Sequence, residues 1–139
     1  MNDNNDITRF LDAQDSEWSG YDVALRKIKA GRKTSHWIWY IFPQLRGLGH
    51  SRRSYFYGLS NRQEAEVYLS HPILGKRLRE ITEVLLGYSN KSANSIFGGI
   101  DALKVKSCMT LFDCISPSDI FEKVLNTFYN GERDEKSIV

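Results

Sequence analysis

Apolar side chains recur along this chain at helical spacing. Three stretches repeat an apolar residue about every three or four positions, which is the period of an amphipathic α-helix. Their apolar positions are Tyr21, Ala24, Leu25 and Ile28, then Ile73, Leu74, Leu78, Ile81, Leu85 and Leu86, and finally Ile120, Phe121, Val124, Leu125 and Phe128. Gly31, Gly87 and Gly131 follow these stretches, where glycine commonly ends a helix. The pattern predicts an all-α protein.

Short polar residues that precede apolar runs predict where further helices begin. The predicted N-caps are Asp6, Ser60, Asp101 and Ser116. Ser60 and Gln63 have the spacing of a capping box, and Pro117 stands at a first helical position after Ser116.

Four segments are less periodic. Residues 34–42 are rich in strand-forming residues, but their unbroken run into Pro43 also fits a short buried helix, which we favour. Residues 43–50 are predicted to form a loop, and residues 52–59 are ambiguous. Residues 91–99 are predicted to be a connector of small side chains.

These elements predict a single compact bundle of about six to eight helices. The chain shows no internal repeat and no interdomain linker, so one domain over residues 1–139 is expected. Its core would span about residues 7–131. The polar tail, residues 132–139, is expected to fray.

Composition narrows the class of protein. The 139 residues are 41% hydrophobic and 26% charged, with a formal net charge of only +2. That balance is typical of a globular protein and makes a nucleic-acid partner unexpected. No stretch approaches the roughly 18 apolar residues of a membrane span, and the polar N-terminus does not resemble a signal peptide.

The cysteines point to a reducing compartment. Cys108 and Cys114 lie six positions apart on one predicted helix, which turns them away from each other, so we expect no disulfide. The cytoplasm is the simplest location. No HExxH motif, CxxC pair or carboxylate cluster indicates a metal site, and no cofactor is expected.

The first candidate for chemistry is the aromatic segment KTSHWIWYIFPQLRGLGHS, residues 33–51. His36 is a candidate general acid or base, because an imidazole titrates near neutral pH. Alternatively, it bonds a carbonyl and fixes the loop. Trp39 would line a ligand site or belong to the core, and Gln44 would offer a polar handle.

The glycine turn that follows is the second candidate. Gly47 and Gly49 stand beside Ser51 and Arg52, a combination that can cradle an anion if Ser51 caps the next segment. The turn matches neither the dinucleotide fingerprint nor a P-loop. An ordinary glycine turn is the alternative.

A polar stripe is the third candidate. Asp101, Lys104, Ser107 and Thr110 are each three residues apart, so they follow one face of a helix. Asp101 would be an N-cap or a catalytic acid or base. Lys104 would hold an anion or form a surface ion pair with Asp101. Ser107 would help to line a pocket.

Several motifs together resemble a known family. They are Arg9-Phe10 with Gln14, GRKTSHWIWYIFPQLRGLGHS, Glu64-Ala65-x-x-Tyr68-Leu69, HPILGKRL and IFGGIDALKVKSCMTLFD. Over residues 7–135 the chain resembles a bacterial family of unknown function whose members are often labelled "calpastatin". The resemblance implies a small, single-domain, all-α protein. It does not imply calpain inhibition, because eukaryotic calpastatin is a disordered polar chain.

The sequence therefore predicts one polar and aromatic pocket that binds a small anionic or nucleotide-derived ligand. His36 and Asp101 would be the catalytic pair if the protein is an enzyme, with hydrolase or glycosidase chemistry. Trp39, Gln44, the glycine turn, Arg52, Lys104 and Ser107 would bind the ligand. The alternative is a protein-interaction or regulatory module without catalysis.

Overall fold

A computed structural model describes residues 7–31 and 38–139, and within them it confirms the predicted all-α fold. The described residues contain nine α-helices and no β-strand. The helices are α1 (Thr8–Gln14), α2 (Tyr21–Lys29), α3 (Ile38–Ile41), α4 (Arg52–Tyr57), α5 (Arg62–Ser70), α6 (Leu74–Leu86), α7 (Ala93–Phe97), α8 (Gly99–Ile115) and α9 (Ile120–Tyr129). A 3₁₀ turn follows at Glu135–Ser137.

The core is organised around α8, the longest helix. It contacts α3, α5, α7 and α9. Cys108, Leu111 and Phe112 on this helix are fully buried. The Phe112 ring lies 5.7 Å from the Tyr68 ring of α5 and 5.7 Å from the Phe121 ring of α9. A helix with apolar neighbours on several sides needs an apolar surface on most of its circumference, which explains its weak amphipathic pattern.

Two of the predicted caps are displaced by one or more residues. Asn61, not Ser60, caps α5, because its side chain accepts a hydrogen bond from the Glu64 N–H at 3.0 Å. The Glu64 carboxylate accepts from the N–H of Ser60, the residue before this N-cap, at 2.9 Å, so the bond resembles that of a capping box displaced by one residue. Asp119, not Ser116, caps α9. Asn, Asp and Ser have similar capping strength, so local sequence alone does not separate them.

The predicted cap at Asp101 is wrong. The helix begins three residues earlier than predicted, because Gly98 adopts a positive φ of 81° and serves as the N-cap of α8. Asp101 therefore lies in the first helical turn, where a carboxylate is favourable beside the free N–H groups. The predicted cap at Asp6 lies outside the described residues.

Short helices resolve the ambiguous segments. Residues 91–99, predicted as a connector, contain α7, whose N-cap Ser92 accepts from the Ser95 N–H. Residues 52–59 contain α4. The helix favoured for residues 34–42 is present at Ile38–Ile41, and the earlier part of that segment lies outside the described residues. Helices this short contain too few residues to show a period.

The C-terminal segment, residues 132–139, does not fray as expected. It packs along α8, and we call this arrangement the C-terminal clasp. The Asp134 N–H donates to Thr110 Oγ1 at 3.0 Å, and the Ser107 hydroxyl donates to the Asp134 carboxylate at 2.9 Å. Ser137 is completely buried. The polar stripe on α8 thus binds the protein's own chain at Ser107 and Thr110. Cys108 and Cys114 are free thiols, as predicted.

Candidate functional site

A closed surface loop, residues 46–58, forms most of the candidate site, and we call it the cleft loop. Its ends are joined by a parallel bridge between Leu45 and Leu59. The Arg46 N–H donates to the Leu59 carbonyl at 2.8 Å, and the Leu59 N–H donates to the Gln44 carbonyl at 2.8 Å. Gly58 permits this approach, because a Cβ there would lie 2.6 Å from the Arg46 Cα. Compact loops with joined ends frequently carry function.

The glycine turn within this loop packs against the aromatic segment. A Cβ on Gly49 would lie 2.8 Å from Trp39 Cη2 and 2.8 Å from Ser54 Cβ, so glycine is required there. Gly47 has a φ of +103°, a conformation that favours glycine. The Ser51 side chain caps α4 by accepting from the Ser54 N–H at 3.0 Å, so the condition stated for an anion-cradling turn is met.

Arg9 on α1 holds the other end of α4. Its guanidinium donates to the Phe56 carbonyl at 2.7 Å and to the Gly58 carbonyl at 3.0 Å. It also forms an ion pair with Glu64 at 3.1 Å, in which the two side chains are only 9% and 5% exposed. Arg9 therefore satisfies carbonyl groups at the end of a helix, and Glu64 balances its charge.

The cleft loop and Arg9 enclose an open cleft of about 840 Å³, which we call the arginine cleft. None of its lining residues is acidic. The residues that line the cleft are Arg9, Arg46, His50, Ser51, Arg52, Arg53, Tyr55, Phe56 and Tyr57. The electrostatic potential of such a surface is positive, so it favours anions.

Arg46 is held in place without an acidic partner. Its guanidinium carbon lies 4.4 Å from the centroid of the Tyr55 ring, and its Nε donates to the Tyr55 carbonyl at 3.0 Å. Within the described chain, its terminal Nη groups have no hydrogen-bond acceptor. A stacked guanidinium whose two Nη groups are free is oriented to bind a carboxylate or a phosphate in bidentate fashion through those groups.

Two other basic residues of the cleft make no ion pair with the part of the chain that the structure describes. They are Arg52 and His50, and both side chains are exposed. Arg52 lies in the first turn of α4, where the unsatisfied N–H groups of a helix already carry partial positive charge. The positive charge of Arg52 is repelled by these partial charges, and no carboxylate of the described residues offsets the repulsion.

The cleft also exposes aromatic rings. Tyr55 is 65% and Phe56 54% exposed. The Phe56 ring lies 4.9 Å from the Tyr57 ring at 84°, and Tyr57 contacts the rings of Phe10 and Tyr40. Phe56 is therefore anchored to the core by an edge-to-face contact while about half of its surface faces solvent.

Tyr57 stays neutral at the base of this cationic cleft. Burial raises the pKa of its phenol, and the neighbouring Tyr40 raises it further. Arg53 and Arg9 act in the opposite direction but do not overcome these effects. The cleft therefore holds no phenolate near neutral pH that would neutralise its cations.

Four of the predicted site residues, Trp39, Gly49, Asp101 and Lys104, form a series of contacts at the glycine turn. Lys104 Nζ lies 4.5 Å from the centroid of the Trp39 ring and 3.1 Å from Asp101 Oδ1. Trp39 in turn contacts Gly49. The aromatic segment and the start of α8 are thus brought together, as the proposed pocket required. Gly47, Ser51 and Arg52 lie in the cleft loop.

Two predicted ligand-binding residues are engaged within the protein. Gln44 is buried, and its side-chain amide donates to the Phe42 carbonyl at 3.4 Å. The Ser107 hydroxyl contacts Asp134 and the Leu103 carbonyl in the C-terminal clasp. His36 lies outside the described residues, so the prediction that it shares a hollow with Asp101 stays a prediction.

Sequence reasoning overlooked most of the arginine cleft. Residues 46–57, RGLGHSRRSYFY, contain three arginines, one histidine and no acidic residue. That local excess of positive charge was the available signal. The contribution of Arg9 had no such signal, because it lies 47 positions from Phe56 in sequence.

Residues 7–31 and 38–139 contain neither a metal-binding cluster nor a membrane-spanning helix. This part of the chain has no group of three or more His, Cys, Asp or Glu side chains arranged to hold a metal ion. Its helices include none with both the length and the apolar character needed to cross a bilayer.

Comparison with known proteins places the chain in a family. No curated protein matches it. A solved structure, that of the conserved hypothetical protein Rv1873 from Mycobacterium tuberculosis, is 40% identical in sequence and superposes with a TM-score of 0.90. The match covers 96% of this chain and 94% of that one. The family model described as "Protein of unknown function (DUF1810)" matches residues 4–139, and the chain therefore belongs to the DUF1810 family.

Proposed function

We propose that the arginine cleft binds a small anionic or nucleotide-derived ligand. The observation that supports this most strongly is the orientation of Arg46, which is stacked on Tyr55 with its terminal N–H groups free. Arg52 and His50 lie in the same cleft without an acidic partner among the described residues. A phosphate or carboxylate group would supply the negative charge that the lining lacks.

The energetics favour modest, salt-sensitive binding. Hydrogen bonds to a charged group contribute about 1.5–3 kcal/mol each when they are well formed. The cleft is open to solvent, so screening by about 0.15 M salt acts over a Debye length of about 8 Å. Raising the ionic strength should therefore weaken binding, and the first measurements belong at low salt.

Catalysis by Asp101 and His36 is a separate proposal. The Asp101 carboxylate is already paired with Lys104 beside Trp39, so proton transfer would require Asp101 to exchange that partner for the ligand. A substrate anion that binds Lys104 would compete with Asp101 for that cation. Substitution of Asp101 by Asn should then abolish turnover while leaving ligand affinity largely intact.

A protein-interaction module is the competing function, and one observation favours it. Ile100 and Leu103, near the start of α8, are 74% and 65% exposed. They are three residues apart and therefore adjacent on the helix surface. Binding of a partner protein at these side chains, with no response to small anions, would support this alternative.

Titration calorimetry with ADP at low ionic strength tests the anion proposal. We expect saturable binding to the unmodified protein and at least a tenfold loss in Arg52→Gln, because one charge-assisted contact is worth about 1.4 kcal/mol or more. Arg46→Lys should also weaken binding, since lysine keeps the charge but loses the planar fork.

Arg26→Gln is the matched control. Arg26 is exposed in the last turn of α2 and outside the cleft, so its loss removes the same charge without touching the site. If Arg26→Gln and Arg52→Gln weakened ADP binding equally, the loss would be due to the change in net charge and not to a contact in the cleft. Absence of any heat or thermal shift with ADP, AMP and pyrophosphate would reject the anion proposal.

The cytoplasm is the compartment we propose for this function. Cys108 is fully buried and Cys114 partly buried, and both are free thiols. Reducing compartments maintain such thiols. Fractionation of cells that express the protein would test this location directly.

A further inference from the structure

Phe56 is the feature of the arginine cleft that an anion site alone does not explain. Phe56 is 54% exposed, yet two contacts fix its position. The backbone carbonyl of Phe56 accepts from Arg9 at 2.7 Å, and the ring contacts Tyr57 edge to face at 4.9 Å. An apolar ring that is both exposed and held in place provides a flat surface for another aromatic group.

The ring and a cation share one helix face. Arg52 and Phe56 are four residues apart on α4, so their side chains are neighbours on its surface. Tyr55, which supports the Arg46 guanidinium, lies next to Phe56 in the chain and also lines the cleft. The cleft therefore presents a cationic region and an aromatic region side by side.

The chemistry of the two regions separates the candidate ligands. Inorganic phosphate, a sugar phosphate or a simple carboxylate would satisfy the arginines but would leave the Phe56 ring in water. A nucleoside phosphate carries both a phosphate group and a planar base. Bases stack on aromatic side chains without strong dependence on base identity, because every base has a π-face.

We propose, building on the anion site proposed above, that the ligand is a nucleoside phosphate whose base stacks on Phe56 while Arg46 and Arg52 bind its phosphate. Phe56 selects the class of ligand, and the arginines supply the affinity for charge. The charge complementarity and the exposed Phe56 ring favour a mononucleotide over a ligand without a base.

A comparison of AMP with ribose 5-phosphate isolates the role of the base. Both compounds carry one phosphomonoester group on a ribose, and they differ by the adenine. In low-salt calorimetry, we expect AMP to bind about tenfold more tightly, as one stacked base would provide. Phe56→Leu should reduce this ratio to near one, whereas Phe56→Trp should preserve it. Arg52→Gln should weaken both ligands by a similar factor.

The outcomes of these measurements distinguish this inference from the anion-site proposal on which it rests. If AMP and ribose 5-phosphate bind equally, and Arg52→Gln weakens both, the anion site stands and the role of Phe56 is rejected. If neither binds, both proposals fail. If the AMP preference survives Phe56→Leu in a folded variant, the base lies elsewhere. Much tighter binding of a single-stranded oligonucleotide than of AMP would overturn the mononucleotide in favour of a strand-binding surface.

Discussion

Arg133 in the C-terminal clasp has acidic partners, whereas Arg46 and Arg52 in the arginine cleft have none among the described residues. In the C-terminal clasp, Arg133 binds the Asp113 carboxylate at 2.9 Å and lies 3.7 Å from that of Glu122. In the arginine cleft, Arg46 and Arg52 have no acidic partner in the part of the chain described. The first region uses charge to join segments that are distant in sequence. The second leaves positive charge facing solvent.

The difference indicates which region serves the fold and which is available to a ligand. A paired, partly buried arginine becomes costly to remove, because its partner carboxylate would be left without compensation. Exposed arginines that repel one another contribute little to folding. The charges of Arg46 and Arg52 are therefore explained by binding rather than by stability. The following substitutions are arranged from the largest expected change in stability to the smallest.

Replacing Arg9 by Met should produce the largest loss. Arg9 and Glu64 form a buried ion pair, and breaking one typically costs about 3–5 kcal/mol because the remaining charge is uncompensated. We expect a fall of about 3 kcal/mol in the free energy of unfolding, measured in urea. The double variant with Glu64→Gln should recover part of it. A loss below about 1 kcal/mol would show that the pair does not hold the cleft loop.

Replacing Arg133 by Ala should cost about 2 kcal/mol, less than the Arg9 change because Arg133 is 35% exposed. Asp113 Oδ1 already lacks a hydrogen-bond partner among the described residues, so the carboxylate depends on Arg133. Urea unfolding would measure the loss, and Asp113→Asn in the same background should restore some of it. An unchanged unfolding midpoint would mean that the C-terminal clasp does not stabilise the fold.

The paired carboxylate of Asp119 makes the free energy of unfolding depend on pH. Burial acts to raise its pKa, but hydrogen bonds from Ser116 and Arg79 outweigh burial, and the pKa is lowered to about 2. The unfolded value is near 3.9, so the ionised carboxylate stabilises the fold above about pH 4. About 1–2 kcal/mol should be lost as the pH falls from about 4 to 2.

Asp119→Asn isolates this effect, since asparagine can still cap α9. The variant should be less stable than the unmodified protein at pH 6 and should lose less stability between about pH 4 and 2. Parallel pH profiles of unfolding free energy would contradict the assignment.

Arg52→Gln should have the smallest effect on stability and thereby sharpens the comparison. Its side chain is exposed and has no described partner, so the free energy of unfolding should change by less than about 0.5 kcal/mol. Relief of repulsion could even make the change favourable. A loss above about 1 kcal/mol would show that Arg52 serves the fold, and the contrast between the two regions would disappear.

Sequence patterns were informative where structure depends on local spacing. The helices α2, α6 and α9 were predictable, because each repeats apolar residues and ends near a glycine. The five residues of α7 contain too little periodicity to distinguish a helix from a connector.

The site depended on contacts that local spacing does not encode. Arg9 reaches the cleft loop across 47 positions, and Asp134 reaches Ser107 across 27. The sequence predicted the polar stripe on α8, but its members Ser107 and Thr110 bind the C-terminal segment instead of lining a pocket. The juxtaposition of Trp39 with Lys104 was foreseen, whereas the positive charge of residues 46–57 was underestimated.

A crystal structure of the protein soaked in AMP at low salt tests the central claim most directly. We expect density for the phosphate within about 3 Å of the guanidinium groups of Arg46 and Arg52, and a base lying against Phe56. AMP density beside Trp39 and Lys104 instead, or an arginine cleft that stays empty at saturating AMP, would contradict the account.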